Sequence, residues 1–215
     1  MVEGSNITLA ATKLRPPVLP PRLVDRARLG AVLDEADAAD VPLVLVSAPA
    51  GSGKSTLVAA WAAAHDGSVA WLQLEQSDAD PARFWVSVTA AIGRTHPDIA
   101  ARLESLVAGS FGAGQVVVPA LVNEVAALTE RLVVVLDDYH QVDEPDVHRG
   151  VERLIDLCPP QLTLVLITRA DPPFRLGRMR VRGRVREIRA SDLRFDAHEA
   201  ANLLGASAAG LDRVP

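Results

Sequence analysis

Residues 43–56 read LVLVSAPAGSGKST, an apolar run followed by a stretch of small residues with one lysine and four hydroxyl side chains. Phosphate-binding loops follow the pattern G-x-x-x-x-G-K-[ST] between a strand and a helix. Gly53, Lys54 and Ser55 complete this pattern, and Ala48 stands at its first position, which is a mild departure. The stretch predicts a P-loop (a Walker A motif), against the alternative of a chance glycine-rich loop.

Each part of this loop has a predicted role at a bound polyphosphate. Backbone N–H groups at the start of the following helix form a nest for anions, and the glycines permit the torsions this requires. Lys54 is expected to contact the β- and γ-phosphates, and the Ser55 hydroxyl to join the shell of Mg²⁺. The predicted nucleotide-binding residues of the loop are Ala48, Pro49, Ala50, Gly51, Ser52, Gly53, Lys54, Ser55 and Thr56.

A second apolar run, LVVVLDDYH, ends in two acidic residues, Asp137 and Asp138. Ligands of parallel α/β sheets bind at the carboxyl ends of the strands, and a P-loop enzyme needs a carboxylate there to hold Mg²⁺. We predict that Asp137 is the Mg²⁺ ligand, through water (a Walker B motif), and that Asp138 is the base that orients the attacking water. The alternative is a strand followed by an acidic turn.

Apolar runs and helical patterns alternate along the chain. Continuous apolar runs indicate strands covered on both faces, and strands that alternate with helices indicate a parallel sheet. A strand inserted between the P-loop strand and the Asp-Asp strand predicts a P-loop three-layer α/β/α sandwich of strand order 5-1-4-3-2. The predicted strands are 43–47, 69–74, 132–137, 162–168 and 185–189, and the predicted helices are about 26–38, 54–65, 82–95, 98–108, 117–129, 145–157 and 196–204.

The strand at 162–168 is followed by TRAD, residues 168–171. In this position Arg169 is a candidate catalytic sensor of γ-phosphate charge, with a surface cap on the strand end as the alternative. TRAD also resembles the [NT]-K-x-D motif with which GTPases read guanine. The sequence DDYH at 137–140 is not the D-x-x-G that GTPases need, which disfavours guanine.

The remaining segments carry weaker signals. Two proline pairs in residues 1–22 predict an extended N-terminal segment. Residues 23–205 are predicted to form the ATPase domain, and residues 206–215 to be the start of a truncated following region. Residues 109–117 read as a glycine-rich loop. Arginines at every second position over 178–186 predict an extended segment with one arginine face. That face is either a solvated edge or a contact for a missing domain or a neighbouring subunit's phosphates.

Composition narrows the class of protein. The 215 residues carry a net charge of −5, which disfavours a domain that wraps nucleic acid by bulk electrostatics. One cysteine gives no disulfide framework, and neither a signal peptide nor a membrane-length apolar stretch is evident. We therefore expect a cytoplasmic protein without a membrane partner.

With these motifs in place, the sequence resembles the ATPase module of MalT-type regulators, the large ATP-binding LuxR-family activators among the signal-transduction ATPases with numerous domains (STAND). The resemblance spans about residues 12–205. It rests on the motifs TKL (12–14), LVDRARL (23–29), APAGSGKST (48–56), WLQLEQSDADPARFW (71–85), LDDYH (136–140), TRADPP (168–173) and DLRF (192–195).

The resemblance implies an ATP/ADP switch that hydrolyses slowly and self-associates in the ATP form. It also implies that the segment around Arg26 contributes to the adenine pocket. DNA binding would belong to a domain that these residues do not contain.

Three functions follow from these observations. The leading one is an ATP-binding, weakly hydrolysing signal-transduction module of a transcription regulator. The alternatives are a metabolic P-loop kinase or ATPase, and a nucleotide-dependent scaffold that never hydrolyses.

Overall fold

The computed structural model describes residues 8–107 and 113–203. A single sheet holds strands β1 (Leu43–Ser47), β2 (Ser68–Gln73), β3 (Leu132–Asp137), β4 (Leu162–Thr168) and β5 (Val185–Arg189). The helices are α1 (Ala27–Ala38), α2 (Lys54–Ala64), α3 (Pro81–Ile92), α4 (Pro97–Val107), α5 (Ala113–Ala126), α6 (Pro145–Leu157), α7 (Leu176–Val181) and α8 (197–203). Short 3₁₀ turns lie at Ala11–Leu14, Gln76–Ala79 and Tyr139–Gln141.

All strand pairs are parallel, and the strand order is β2-β3-β4-β1-β5. Read from the other edge this is 5-1-4-3-2, so the predicted fold and strand order are confirmed. The carboxyl ends of β1, β3 and β4 therefore lie side by side, which is where the predicted site residues are found.

The sheet is covered on both faces because its strands alternate between two cores. In β1, Leu43 and Leu45 face the core under α3–α6, whereas Val44 and Val46 face the core under α1 and α2. This arrangement explains why the strands read as continuous apolar runs. No helix in the described ranges is long and apolar enough to cross a membrane.

The glycine-rich stretch at 109–117 was predicted as a loop, and this is wrong for residues 113–117, which begin α5; residues 109–112 lie outside the described residues. Gly114 allows α5 to pack closely against the buried Trp85, because a Cβ at this position would lie 2.8 Å from the indole Nε1. A Cβ on Gly150 of α6 would come equally close to the same indole. The helix is fixed by burial of Val118, Leu121 and Val125, which share one face.

The extended segment predicted at 178–186 is also wrong over its first half. Arg178 and Arg180 lie in helix α7. This segment is helical because Leu176 and Met179, three residues apart, are buried on one side of it. Gly183 has a φ of +65° and ends the helix, where the Arg184 N–H donates to the Met179 carbonyl at 2.9 Å. Only from β5 onward does the chain become extended.

The N-terminal segment is less extended than predicted. The 3₁₀ turn at Ala11–Leu14 buries Lys13, whose Nζ lies 2.6 Å from Asp78 Oδ2 and 2.9 Å from Glu75 Oε1. Asp78 is fully buried and also accepts from Ser87 Oγ at 3.0 Å. The segment is thus tied to the connection between β2 and α3. Residues 206–215, predicted as the start of a following region, lie outside the described residues.

Candidate functional site

The predicted P-loop joins the end of β1 to the start of α2. The Ala48 N–H donates to the Thr168 carbonyl at 3.3 Å, which extends the β1–β4 pairing into the loop. Gly51 and Gly53 have φ values of +76° and +81°, a region that other residues rarely adopt. Helix α2 begins directly after Gly53, so its unpaired N–H groups lie at the loop.

Lys54 lies inside this loop with 8% of its surface exposed. Its ammonium donates to the Pro49 carbonyl at 2.8 Å, and the Ser52 hydroxyl donates to the same oxygen at 2.8 Å. Burial lowers the pKa of Lys54, and the charge of Arg169 lowers it further, while Asp138 and Asp137 raise it. The lysine is held by the loop at the end of the sheet that carries these three charged residues.

Ser55 and Asp137 meet across 82 residues of sequence, with the Ser55 hydroxyl donating to Asp137 Oδ1 at 2.8 Å. The Asp138 N–H donates to the same oxygen at 2.9 Å. Asp137 is 3% exposed. Burial raises its pKa to about 6, with a smaller rise from Asp138, against hydrogen bonds from Ser55 and the Asp138 backbone and the charge of Lys54. The structure brings together the two residues predicted to serve Mg²⁺.

The turn after β3 carries Asp138 and His140. Asp138 has a φ of +56°, and its Oδ1 lies 3.9 Å from His140 Nδ1. Both ring nitrogens of His140 are buried without a hydrogen-bond partner among the described residues. Burial, and then Arg169, lower the pKa of His140. This histidine was not predicted as a site residue, since its only signal in the sequence is its position two residues after Asp138.

Arg169 follows β4 and is exposed. Its charge lowers the pKa of both Lys54 and His140, so it lies within electrostatic reach of the loop and of the turn after β3. Its predicted role as a sensor remains a prediction.

A cavity of 740 Å³ opens beside the P-loop. Its walls come from the segment before α1, from the facing sides of α1 and α2, and from residues 193–195 after β5. The loop contributes Gly51, Ser52 and Gly53, and α2 contributes Thr56 and Leu57. The lining is mostly apolar, as a site for a flat heterocyclic base requires.

Arg26, predicted for the adenine pocket, lines this cavity. Its guanidinium donates to the carbonyls of Leu193 (2.8 Å) and Arg194 (3.1 Å) and lies 4.8 Å from the centre of the Phe195 ring. Its Nε is buried, and no described residue accepts a hydrogen bond from it. Arg26 therefore joins two walls of the cavity.

The guanine-reading alternative finds no support in this geometry. Arg189 holds the Asp171 carboxylate in an ion pair, with NH2 at 3.1 Å from Oδ2. Among the described residues, those that line the cavity do not include Asp171.

Comparison with known proteins agrees with this arrangement. A family model described as the AAA ATPase domain matches residues 19–167. The serine/threonine-protein kinase PknK of Mycobacterium tuberculosis is 35% identical over 209 residues, which cover 95% of this chain and 18% of the kinase. The HTH-type transcriptional regulator MalT of Serratia proteamaculans is 33% identical over 193 residues, which cover 89% of this chain and 21% of the regulator. The chain thus spans about a fifth of the length of these relatives.

Two solved structures share the fold. Cdc6p from Pyrobaculum aerophilum matches with a TM-score of 0.56 and 15% identity, over 84% of this chain and 49% of that chain. The Walker-type ATPase of Pyrococcus abyssi matches with a TM-score of 0.57 and 15% identity, over 94% and 63%. At this identity the likeness concerns the fold alone.

Proposed function

This chain belongs to the AAA ATPase domain family and is a nucleotide-binding ATPase module, and we propose that it acts as an ATP/ADP switch in a larger signalling protein. The observation that carries the proposal is the Ser55–Asp137 hydrogen bond of 2.8 Å beside the P-loop. It joins the helix that would hold phosphate to the strand end that would serve Mg²⁺, and a cavity for a base opens next to it.

The P-loop offers hydrogen-bond donors and positive charge, which suit a bound triphosphate. Helix N-terminal N–H groups and the ammonium of Lys54 supply positive charge in a partly buried place. Gly51 and Gly53 let the backbone approach the phosphates closely. Lys54 would exchange its bond to the Pro49 carbonyl for bonds to the β- and γ-phosphates.

Ser55 and Asp137 fit Mg²⁺, which takes hard oxygen ligands and retains several waters. The Ser55 oxygen donates its proton to Asp137 and keeps lone pairs for a metal ion. Bound there, Mg²⁺ would supply charge that neutralises the phosphates. Asp138 would orient the attacking water as a base, and the charge of Arg169 would stabilise the γ-phosphate oxygens.

The cavity fits the nucleoside. Apolar side chains of Leu23, Val24 and Leu57 offer surfaces for stacking and burial, and Arg26 donates a hydrogen bond to the carbonyl of Leu193, another lining residue. Since Asp171 is engaged by Arg189, no carboxylate of the TRAD segment is offered to a guanine. Adenine is therefore the proposed base.

The signalling role is supported by the relatives. Those named as a transcriptional regulator and as a protein kinase carry a similar module within much longer chains. We propose that this module responds to nucleotide by slow hydrolysis and self-association, and that any DNA binding belongs to other domains. Its proposed place is the cytoplasm, where ATP is abundant.

Calorimetric titration with ATP, ADP and GTP in the presence of Mg²⁺ tests the proposal. Wild-type protein should bind both adenine nucleotides and prefer them to GTP, and Lys54→Ala should lose at least tenfold in affinity for ATP. Arg102→Ala is the matched control, because Arg102 is a cation on the exposed side of α4, paired with Glu124. No binding of ATP or ADP by the wild type would refute the proposal.

Turnover separates a switch from a scaffold. Wild type should release phosphate slowly, and Asp138→Asn should keep ATP affinity while phosphate release falls by about 10²-fold or more, the range for loss of a general base. Absence of phosphate release from the wild type would refute the hydrolytic switch and favour the non-hydrolysing scaffold. Transfer of phosphate to a small molecule would indicate a kinase instead.

A further inference from the structure

Two arginines at the start of α1 form hydrogen bonds and ion pairs with the chain that follows β5. Arg28 Nε lies 3.0 Å from Glu199 Oε1, and its NH2 donates to the Arg194 carbonyl at 2.7 Å. Arg26 NH2 lies 3.3 Å from Glu199 Oε2 and donates to the carbonyls of Leu193 and Arg194. We call the group Arg26, Arg28 and Glu199 the clasp.

Two sets of contacts hold the Glu199 side chain, one with the arginines and one with the backbone at the start of α8. Its side chain is 4% exposed and carries the charge that both arginines face. The same carboxylate accepts from the Asp196 N–H at 3.1 Å, while Asp196 Oδ1 accepts from the Glu199 N–H at 2.8 Å. This reciprocal pair is a capping box, which starts α8. A buried carboxylate so placed needs its cations, because an unpaired charge away from water is costly.

Two members of the clasp, Arg28 and Glu199, hold a wall of the nucleoside cavity without lining it, whereas Arg26 lines the cavity. Leu193, Arg194 and Phe195 line the cavity, and so does Leu203 at the far end of α8. Arg28 and Glu199 are absent from that lining in the described residues. Their hydrogen bonds fix the wall from behind, so the shape of the cavity depends on whether α8 is attached to α1.

We propose that the clasp couples nucleotide binding to the attachment of α8: the nucleoside packs against the wall that the clasp holds, and a bound nucleotide in turn keeps α8 docked. This inference rests on the proposed function of the cavity. Coupling of this kind is reciprocal, since a ligand that prefers the docked state shifts the equilibrium toward it. Glu199 and Arg28 are therefore positioning residues, and α8 carries the state of the site to the chain beyond it.

The variants Arg28→Gln and Glu199→Gln test this coupling. Glutamine at 199 still accepts the capping-box bond but removes the buried charge, and Arg28 does not touch the cavity. Titration of the 215-residue chain with ADP and Mg²⁺ should show at least about fivefold weaker binding for each variant, the lower bound of typical coupling. Glu124→Gln, which breaks the exposed Arg102–Glu124 pair between α4 and α5, should bind ADP as wild type does.

Hydrogen exchange supplies the reciprocal readout. Saturating ADP should slow exchange of the amides of α8 in the wild type about fivefold or more, and this protection should shrink in both variants. Wild-type ADP binding with equal affinity in Arg28→Gln and unchanged exchange in α8 would overturn the inference and leave the proposed function standing. Failure of the wild type to bind ADP would overturn both.

Discussion

The Ser55 hydroxyl lies 2.8 Å from Asp137 Oδ1 and joins the first turn of α2 to the last residue of β3. The contact exists because β3 ends at the same edge of one parallel sheet as β1, which leads into the P-loop, and β4 lies between these two strands. It places a hydroxyl and a buried carboxylate where Mg²⁺ would join the phosphates.

Ser55→Ala should remove most of the Mg²⁺-dependent part of nucleotide affinity, because the hydroxyl is one of the two proposed oxygen contacts. The expected result, measured by calorimetry, is that Mg²⁺ improves ATP binding over EDTA much less in this variant than in the wild type. Ser52→Ala in the same loop serves as the control, since the described contacts of the Ser52 hydroxyl are with the Pro49 carbonyl and Lys54 Nζ and do not include Asp137. A full Mg²⁺ effect in Ser55→Ala would contradict the assignment.

The buried Asp137 should make the metal-free protein less stable as the pH rises. Its folded-state pKa, about 6, exceeds the ordinary value of 3.8 because of burial. The folded protein therefore holds this proton more tightly than the unfolded chain, so the stabilisation is present below about pH 4 and lost by about pH 6.

Replacing Asp137 with Asn should reveal this cost. At pH 7 in EDTA the variant should be more stable than wild type by up to about 3 kcal/mol, from 1.36 kcal/mol per pKa unit, and at pH 4 the two should be equal. Urea denaturation at both pH values measures the difference. A gain in stability that is equal at both pH values would show that the carboxylate's charge is not its source.

The Lys13–Asp78 pair should matter for stability although Lys13 lies in the N-terminal segment. Asp78 is 0% exposed, and Lys13→Met leaves this buried carboxylate with only the longer cationic contact to Arg83 Nε, at 3.6 Å. The loss of the closer cation should cost about 3 kcal/mol. Glu75→Gln, which touches the same lysine from an exposed position, should cost under about 1 kcal/mol. Urea unfolding compares the two, and equal losses would refute the distinction.

Gly53 and Gly177 should respond to alanine with opposite signs. A Cβ would find open space at both, but Gly53 has a φ of +81°. Gly53→Ala should destabilise the protein by about 1–2 kcal/mol. Gly177, inside α7, should gain about 0.5 kcal/mol as alanine through the reduced entropy of the unfolded chain. Thermal unfolding of the two variants in the absence of nucleotide tests the pair.

Local sequence was informative wherever a single element carried the signal. Strands 132–137 and 162–168 and helix 145–157 match the structure to the residue, because long apolar runs and clear capping residues define their ends. The prediction failed at residues 113–117 and 178–182. In both places the helix depends on distant partners, Trp85 against Gly114 and the sheet core against Met179, that local spacing does not show.

The sequence by itself determined the parallel sandwich, the P-loop and the strand ends that bear Asp137 and Asp138, because each is a contiguous pattern with its own physical meaning. Only the tertiary structure decided which of these side chains meet. The Ser55–Asp137 contact and the clasp on Glu199 join residues through the folding of the sheet and the return of the chain after β5. Those contacts depend on three-dimensional packing between elements far apart in sequence, which no local pattern encodes.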